Sequence, residues 1–120
     1  MEVICRSESP FGDDSVQVEV CVRGIKVSAE SDRGYFHAFC TVRRELENYG
    51  ERPCCFAAYE NVYPSPMIES MGNGEKAFRL TMGQPARTND IVDIFDVTKE
   101  GRPVTVDQQK KFYEEWLESL

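Results

Sequence analysis

Residues able to do chemistry are few in this chain. His37 is the single histidine, hence the one side chain whose ordinary pKa lies near neutrality. Cys40 follows three residues on, so a Cys/His nucleophile pair is the first arrangement to weigh. On a helix, His37 falls on the polar face while Cys40 borders the apolar stripe, and a thiol packed there behaves as a small hydrophobe. Asp90, Asp93 and Asp96 suggest carboxylates around a cation. On a strand, Asp93 and Asp96 have opposite parity and point to opposite faces, which scatters them; charges that blunt a sheet edge account for them as well. Gly72-Asn-Gly74-Glu-Lys76 has the texture of a phosphate-cradling loop, but it lacks the Walker spacing and a following helix. A turn using Asn and Gly at positive φ fits it better. No nucleophile, base and orienting group come together, so no catalytic residue, cofactor or metal ligand is assigned and the chain reads as a non-enzyme.

The richest stretch runs from Tyr59 to Gly74, where aromatic, Met and Asn residues ride on a segment broken by Pro and Gly. Binding residues concentrate on loops held by a rigid scaffold. Tyr is a strong interface anchor and Met an adaptable one. Tyr59, Glu60, Asn61, Tyr63, Met67, Glu69, Met71 and Asn73 are therefore candidate contacts to a protein partner, joined by Asp93 and Asp96. A competing reading folds Val62, Tyr63, Met67, Ile68 and Met71 back as a lid on the core.

The positioning elements follow from periodicity. Val3 to Arg6 is a short strand, and Phe11-Gly12-Asp13-Asp14 a turn. Val16, Val18, Val20 and Val22 alternate with polar partners, the period of a strand with one buried face. The apolar parity shifts after Gly24, which calls for a bulge or a tight turn; a bulge is preferred, since few residues remain before the next element. Ser31-Asp32 caps a helix carrying Tyr35, Phe39, Val42, Leu46 and Tyr49 at four-three spacing up to Gly50, with His37, Thr41, Arg44 and Asn48 opposite. Pro53 to Tyr59 is a continuous apolar run, taken as a central strand. One helical turn fits Ser65 to Met71, and strands fit Glu75 to Met82 and Ile91 to Val97. Thr105-Val-Asp-Gln108 has capping-box spacing and opens a last helix with Phe112, Tyr113, Trp116, Leu117 and Leu120 on its apolar face. The expected fold is α+β: an antiparallel sheet of about five strands with two helices packed on one face, in a single domain over residues 1–120.

Composition narrows the partners. The formal net charge is −7 and the pI about 4.7. Phosphate-neutralising nucleic-acid binding and attraction to an anionic leaflet are both disfavoured, whereas a basic protein partner is steered inward. The acidic excess sits at the ends of the chain (Glu2, Glu8, Asp13, Asp14, Glu19 and Glu30; then Asp93, Asp96, Glu100, Asp107, Glu114, Glu115 and Glu118), and the centre is nearly balanced. No basic, apolar leader and no membrane-length run is present, so the expected compartment is the cytoplasm. The five cysteines are odd in number and lack C-x-x-C spacing, which favours free thiols. A hairpin could bring Cys5 opposite Cys21.

Cys54-Cys55-Phe56 through Met67, then Met71 to Arg79, together with the C-terminal Phe-Tyr-x-x-Trp-Leu-x-x-Leu120, resemble immunity proteins that accompany bacterial contact-dependent and other polymorphic toxins, over about a third of the chain. The resemblance implies a stoichiometric inhibitor of a cognate toxin, often a basic nuclease, masked at its active site or another essential surface; a monomer is expected. The alternative is an adaptor or regulatory protein-interaction domain without catalytic activity.

Overall fold

The alternating valines form the middle strand of the first sheet. In the computed structural model, which describes residues 2–8, 15–69 and 74–120, β1 (Glu2–Glu8), β2 (Val16–Val22) and β3 (Ile25–Ser31) pair antiparallel in that order. Val16, Val18, Val20 and Val22 are all buried on one face. Arg23 and Gly24, at φ 48° and 80°, close a two-residue turn between Val22 and its partner Ile25. Positive φ at both centres is the type I′ shape, whose twist matches the flanking strands. The parity shift at Gly24 is thus a tight turn and not a bulge, because a full strand follows it. Cys21 lies opposite Val3 and Cys5 opposite Glu19, so Cys5 and Cys21 are two positions out of register, and Cys21 is a free thiol. The turn assigned to Phe11–Asp14 lies outside the described residues.

Helix α1 (Tyr35–Glu47) packs on β2 and β3. Its N-cap is Gly34, at φ 102°, and not Ser31-Asp32; Ser31 still belongs to β3, and its Oγ accepts the Arg33 N–H at 3.0 Å. At the other end Gly50 takes φ 73°, its N–H donates to Glu47 O at 3.1 Å and that of Glu51 to Leu46 O at 3.1 Å. These two bonds form a Schellman motif with Gly50 at C′, as its sequence position suggests. The motif ends the helix before Tyr49 can join the stripe, leaving that ring 57% exposed.

Pro53, Cys55 and Ala57 to Tyr59 are buried as in a central strand, but Cys54 is exposed and the segment is not a strand. Phe56–Ala58 is a 3-10 turn. Its backbone is satisfied piecemeal: Phe56 N–H donates to Asp96 O and Ala57 N–H to Ile94 O, both at 2.8 Å, and Val104 N–H donates to Ala58 O at 3.0 Å. An apolar run shows that a segment is interior, and periodicity alone does not fix its backbone shape.

A second antiparallel sheet is built from β4 (Val62–Tyr63), β5 (Lys76–Arg79) and β6 (Ile91–Asp93), with the short α2 (Pro66–Glu69) between its first two strands. Ser65 Oγ accepts the Ile68 N–H at 3.2 Å, opening α2. Strand β6 stops earlier than the expected Val97, because Asp93 Oδ1 accepts the Phe95 N–H at 2.9 Å and turns the chain. Helix α3 (Val106–Glu118) starts at the predicted capping box, with Gln108 N–H to Thr105 Oγ1 at 3.2 Å and Thr105 N–H to Gln108 Oε1 at 2.9 Å.

The α+β class and antiparallel pairing hold, with the strands divided between two sheets of three. Helix α1 covers the first, while α3 lies against β4 and α1. One core joins the β2 valines to Phe36, Phe39, Val62 and Ile94.

Candidate functional site

A buried polar pair positions the centre of the molecule. Phe36, Phe39, Arg43 and Leu46 follow one another at helical spacing, so Arg43 enters the apolar stripe of α1 and is 2% exposed. Its guanidinium donates to Ala57 O and Val104 O, each at 2.9 Å, and to Gln109 Oε1 at 2.6 Å. Gln109 occupies the same kind of position on α3, between Val106 and Trp116, and is 1% exposed. Its amide donates to Ala57 O, Tyr59 O and Val62 O at 2.8, 3.0 and 2.8 Å. Burial lowers the Arg43 pKa, opposed by neighbouring Cys40, Cys55 and Glu47, of which Cys40 also hydrogen-bonds to it. Glu47 in turn accepts the Val106 N–H at 2.8 Å. A polar residue at an apolar periodic position is the sequence signal that marks Arg43 and Gln109.

Among the described residues of the Tyr59–Gly74 segment, Val62 and Ile68 fold onto the core as the lid reading expects, and Met67 does not. Tyr59 is 2% exposed and cannot serve as a surface contact: its hydroxyl donates to Thr98 O at 3.1 Å, and its ring covers Gly101 so closely that a Cβ there would collide with it. Val62, Pro64 and Ile68 are buried too. Tyr63 is half-buried, stacked on Tyr113 at 4.2 Å and 17° and edge-on to Phe36. Glu60 sits 3.6 Å from Arg102 in an ion pair. Asn61 is exposed, and its carbonyl receives the Leu80 N–H at 2.7 Å. Met67, 75% exposed, projects from α2, which Glu69 ends. Met71 and Asn73 lie outside the described residues.

The carboxylates are placed individually. Asp90 Oδ2 accepts the Arg87 N–H at 3.0 Å and caps a 3-10 turn, and Asp93 pairs with Lys76 at 3.6 Å. Asp93 and Asp96 border one shallow depression beside Ile4 and Phe95, correcting the opposite-face expectation, since strand parity ends at Asp93. Among the described residues no group of three or more His, Cys, Asp or Glu side chains is arranged to hold a metal ion.

Two surfaces gather residues from separate elements. The first is an open groove of ≈ 550 Å³. Its α1 wall is His37, Thr41 and Arg44, from the face expected to be polar, together with Cys40, expected to border the apolar stripe. Val106 and Lys110 of α3 line it too, with Glu30, Ser31 and Arg33 from the end of β3 and the loop after it, and Phe36 and Tyr63. His37 and Cys40 therefore line one cleft, to which α3 also contributes. Arg44 pairs with Asp107 at 2.9 Å across the two helices.

The second surface is the C-terminal end of α3. The Gly83 N–H donates to Ser119 Oγ at 2.8 Å, and Trp116 Nε1–H to Gln84 O at 2.9 Å, which brings the turn after β5 against the helix. Met82, Leu117 and Leu120 are 41%, 47% and 58% exposed, and Glu114, Glu115 and Glu118 stand exposed on the same helix end. Leu117 and Leu120, expected to face the core, face outward; Val106, Gln109 and Trp116 are what α3 buries.

Set against known proteins, the chain matches no family model and no curated protein. No helix among the described residues is long and apolar enough to cross a membrane.

Proposed function

We propose that this protein is a stoichiometric inhibitor of a basic protein toxin, an immunity protein acting without catalysis of its own in the cytoplasm. The observation that carries this reading is the end of α3, where exposed Met82, Leu117 and Leu120 stand among Glu114, Glu115 and Glu118. Exposed apolar anchors on a helix end that also carries exposed carboxylates suit a surface that is steered by electrostatics and held by desolvated contacts. The net charge of −7 extends the same attraction over the whole molecule. Met67, Asn61 and Asp96 are exposed and supply a second set of contacts. Cys21, Cys40, Cys54 and Cys55 stand outside any disulfide, which suits a reducing compartment. A carboxylate-rich face set into a nuclease cleft imitates the phosphates that the cleft attracts.

The test is co-purification of the full chain with the C-terminal domain of the protein encoded by the upstream gene, followed by an assay of that domain's toxicity. A 1:1 complex that abolishes toxin activity supports the proposal. No complex at micromolar concentration overturns it, and a complex that leaves the toxin fully active moves the protein to the adaptor class.

A further inference from the structure

We propose that the groove between α1 and α3 binds a small phosphate-bearing ligand. On a chain of net charge −7, this groove collects Arg33, Arg44 and Lys110 from three separate parts of the fold. Clustered cations on an acidic protein create a local field of opposite sign to the whole, which focuses anions into the cleft. The uncharged donors match an oxyanion as well: Ser31 and Thr41 bring hydroxyls to the same walls. Phe36 and His37 of the first turn of α1 line the groove beside these donors.

The resident counter-charge is weakly held. Asp107 pairs with Arg44 at 2.9 Å, but their side chains are 79% and 53% exposed, and ion pairs in water contribute little. An incoming phosphate, with more acceptor oxygens and a higher charge, displaces Asp107 and takes a bidentate contact from Arg44. Glu30 at the rim repels a bare anion and accepts hydrogen bonds from hydroxyl groups, which favours a sugar phosphate over inorganic phosphate. The ≈ 550 Å³ space suits a ligand of that size.

His37 is the only histidine and lines the groove, so its imidazole NMR signals report on this site alone. The full chain is titrated with ribose 5-phosphate, inorganic phosphate and ribose. The expected result is a saturable His37 shift with ribose 5-phosphate, at an affinity in the range of about 0.1–1 mM. In the doubly substituted Arg44→Gln, Lys110→Gln chain it weakens about tenfold or more. Both side chains are exposed, so the fold should tolerate the change, and Thr41→Ala provides a milder variant that weakens the shift without altering charge. Equal saturation by inorganic phosphate supports the site and assigns its ligand as the free oxyanion. Silence of His37 toward both phosphates up to about 10 mM, a response to ribose alone, or an undiminished response in the double variant overturns the proposal.

Discussion

Arg43 of the first helix and Gln109 of the last meet side chain to side chain, Arg43 Nη1–H donating to Gln109 Oε1 at 2.6 Å. Around this bond the carbonyls of Ala57, Tyr59, Val62 and Val104 find their donors. The irregular middle of the chain is held in the interior by this pair, since a buried carbonyl without a partner is costly.

Removing either member should therefore strand buried acceptors. Gln109→Leu is expected to lower stability by about 2–4 kcal/mol, and Arg43→Met by about 3–5 kcal/mol. The double substitution should fall short of their sum by about 1–3 kcal/mol, because the two side chains share partners. Urea denaturation of the two single variants and the double variant measures the coupling; strict additivity would show that the pair does not act as a unit.

The β2–β3 turn offers the opposite sign. Arg23 holds φ 48°, a conformation that strains a side-chain-bearing residue unless it is Asn or Asp. Arg23→Asn should stabilise the protein by about 0.5–1 kcal/mol, and Gly24→Ala should destabilise it by about 1 kcal/mol. The ion pair that Arg23 forms with Glu51, at 3.4 Å and with the arginine 78% exposed, is too wet to offset the gain. Thermal denaturation reads both changes.

Adjacent Cys54 and Cys55 should differ sharply toward alkylation. Cys54 is exposed, whereas Cys55 is 1% exposed behind the 3-10 turn. With iodoacetamide, Cys54 should be modified in the native protein and Cys55 only after denaturant is added, since the reagent must reach the sulfur. Peptide mapping by mass spectrometry checks the order; simultaneous labelling would mean that the turn opens in the native state.

The proposed docking surface separates rate from lifetime. Neutralising Glu114, Glu115 and Glu118 to Gln should slow association with a basic partner by about tenfold at low salt and flatten its salt dependence. Leu117→Ala should leave association unchanged and speed dissociation by about tenfold. Surface plasmon resonance at several ionic strengths distinguishes the two effects, and a salt-independent association rate in the unmodified chain would remove electrostatic steering from the account.

Local features were legible in the residues, and long-range ones were not. The alternation at Val16–Val22, the glycine after α1 and the Thr105–Gln108 box each encode a shape within a few residues, and each appears where its spacing places it. The Pro53–Tyr59 run announces burial, but its turn depends on donors and acceptors at Ile94, Asp96 and Val104. Arg43 and Gln109 stand out as polar residues inside apolar stripes, yet nothing local says that they face each other. The groove arises likewise from one helix face that reads as wet and a second that reads as charged. Tyr59 has the composition of a contact residue and serves as packing, because Gly101 leaves room for its ring.

The polar pair also orders events in time. Gln109 follows the carbonyls of Ala57, Tyr59 and Val62 by 52, 50 and 47 residues. A ribosome therefore delivers that middle segment before the amide that latches it. Until α3 has been made, the carbonyls of Ala57, Tyr59 and Val62 lack the side-chain amide that they share in the folded chain.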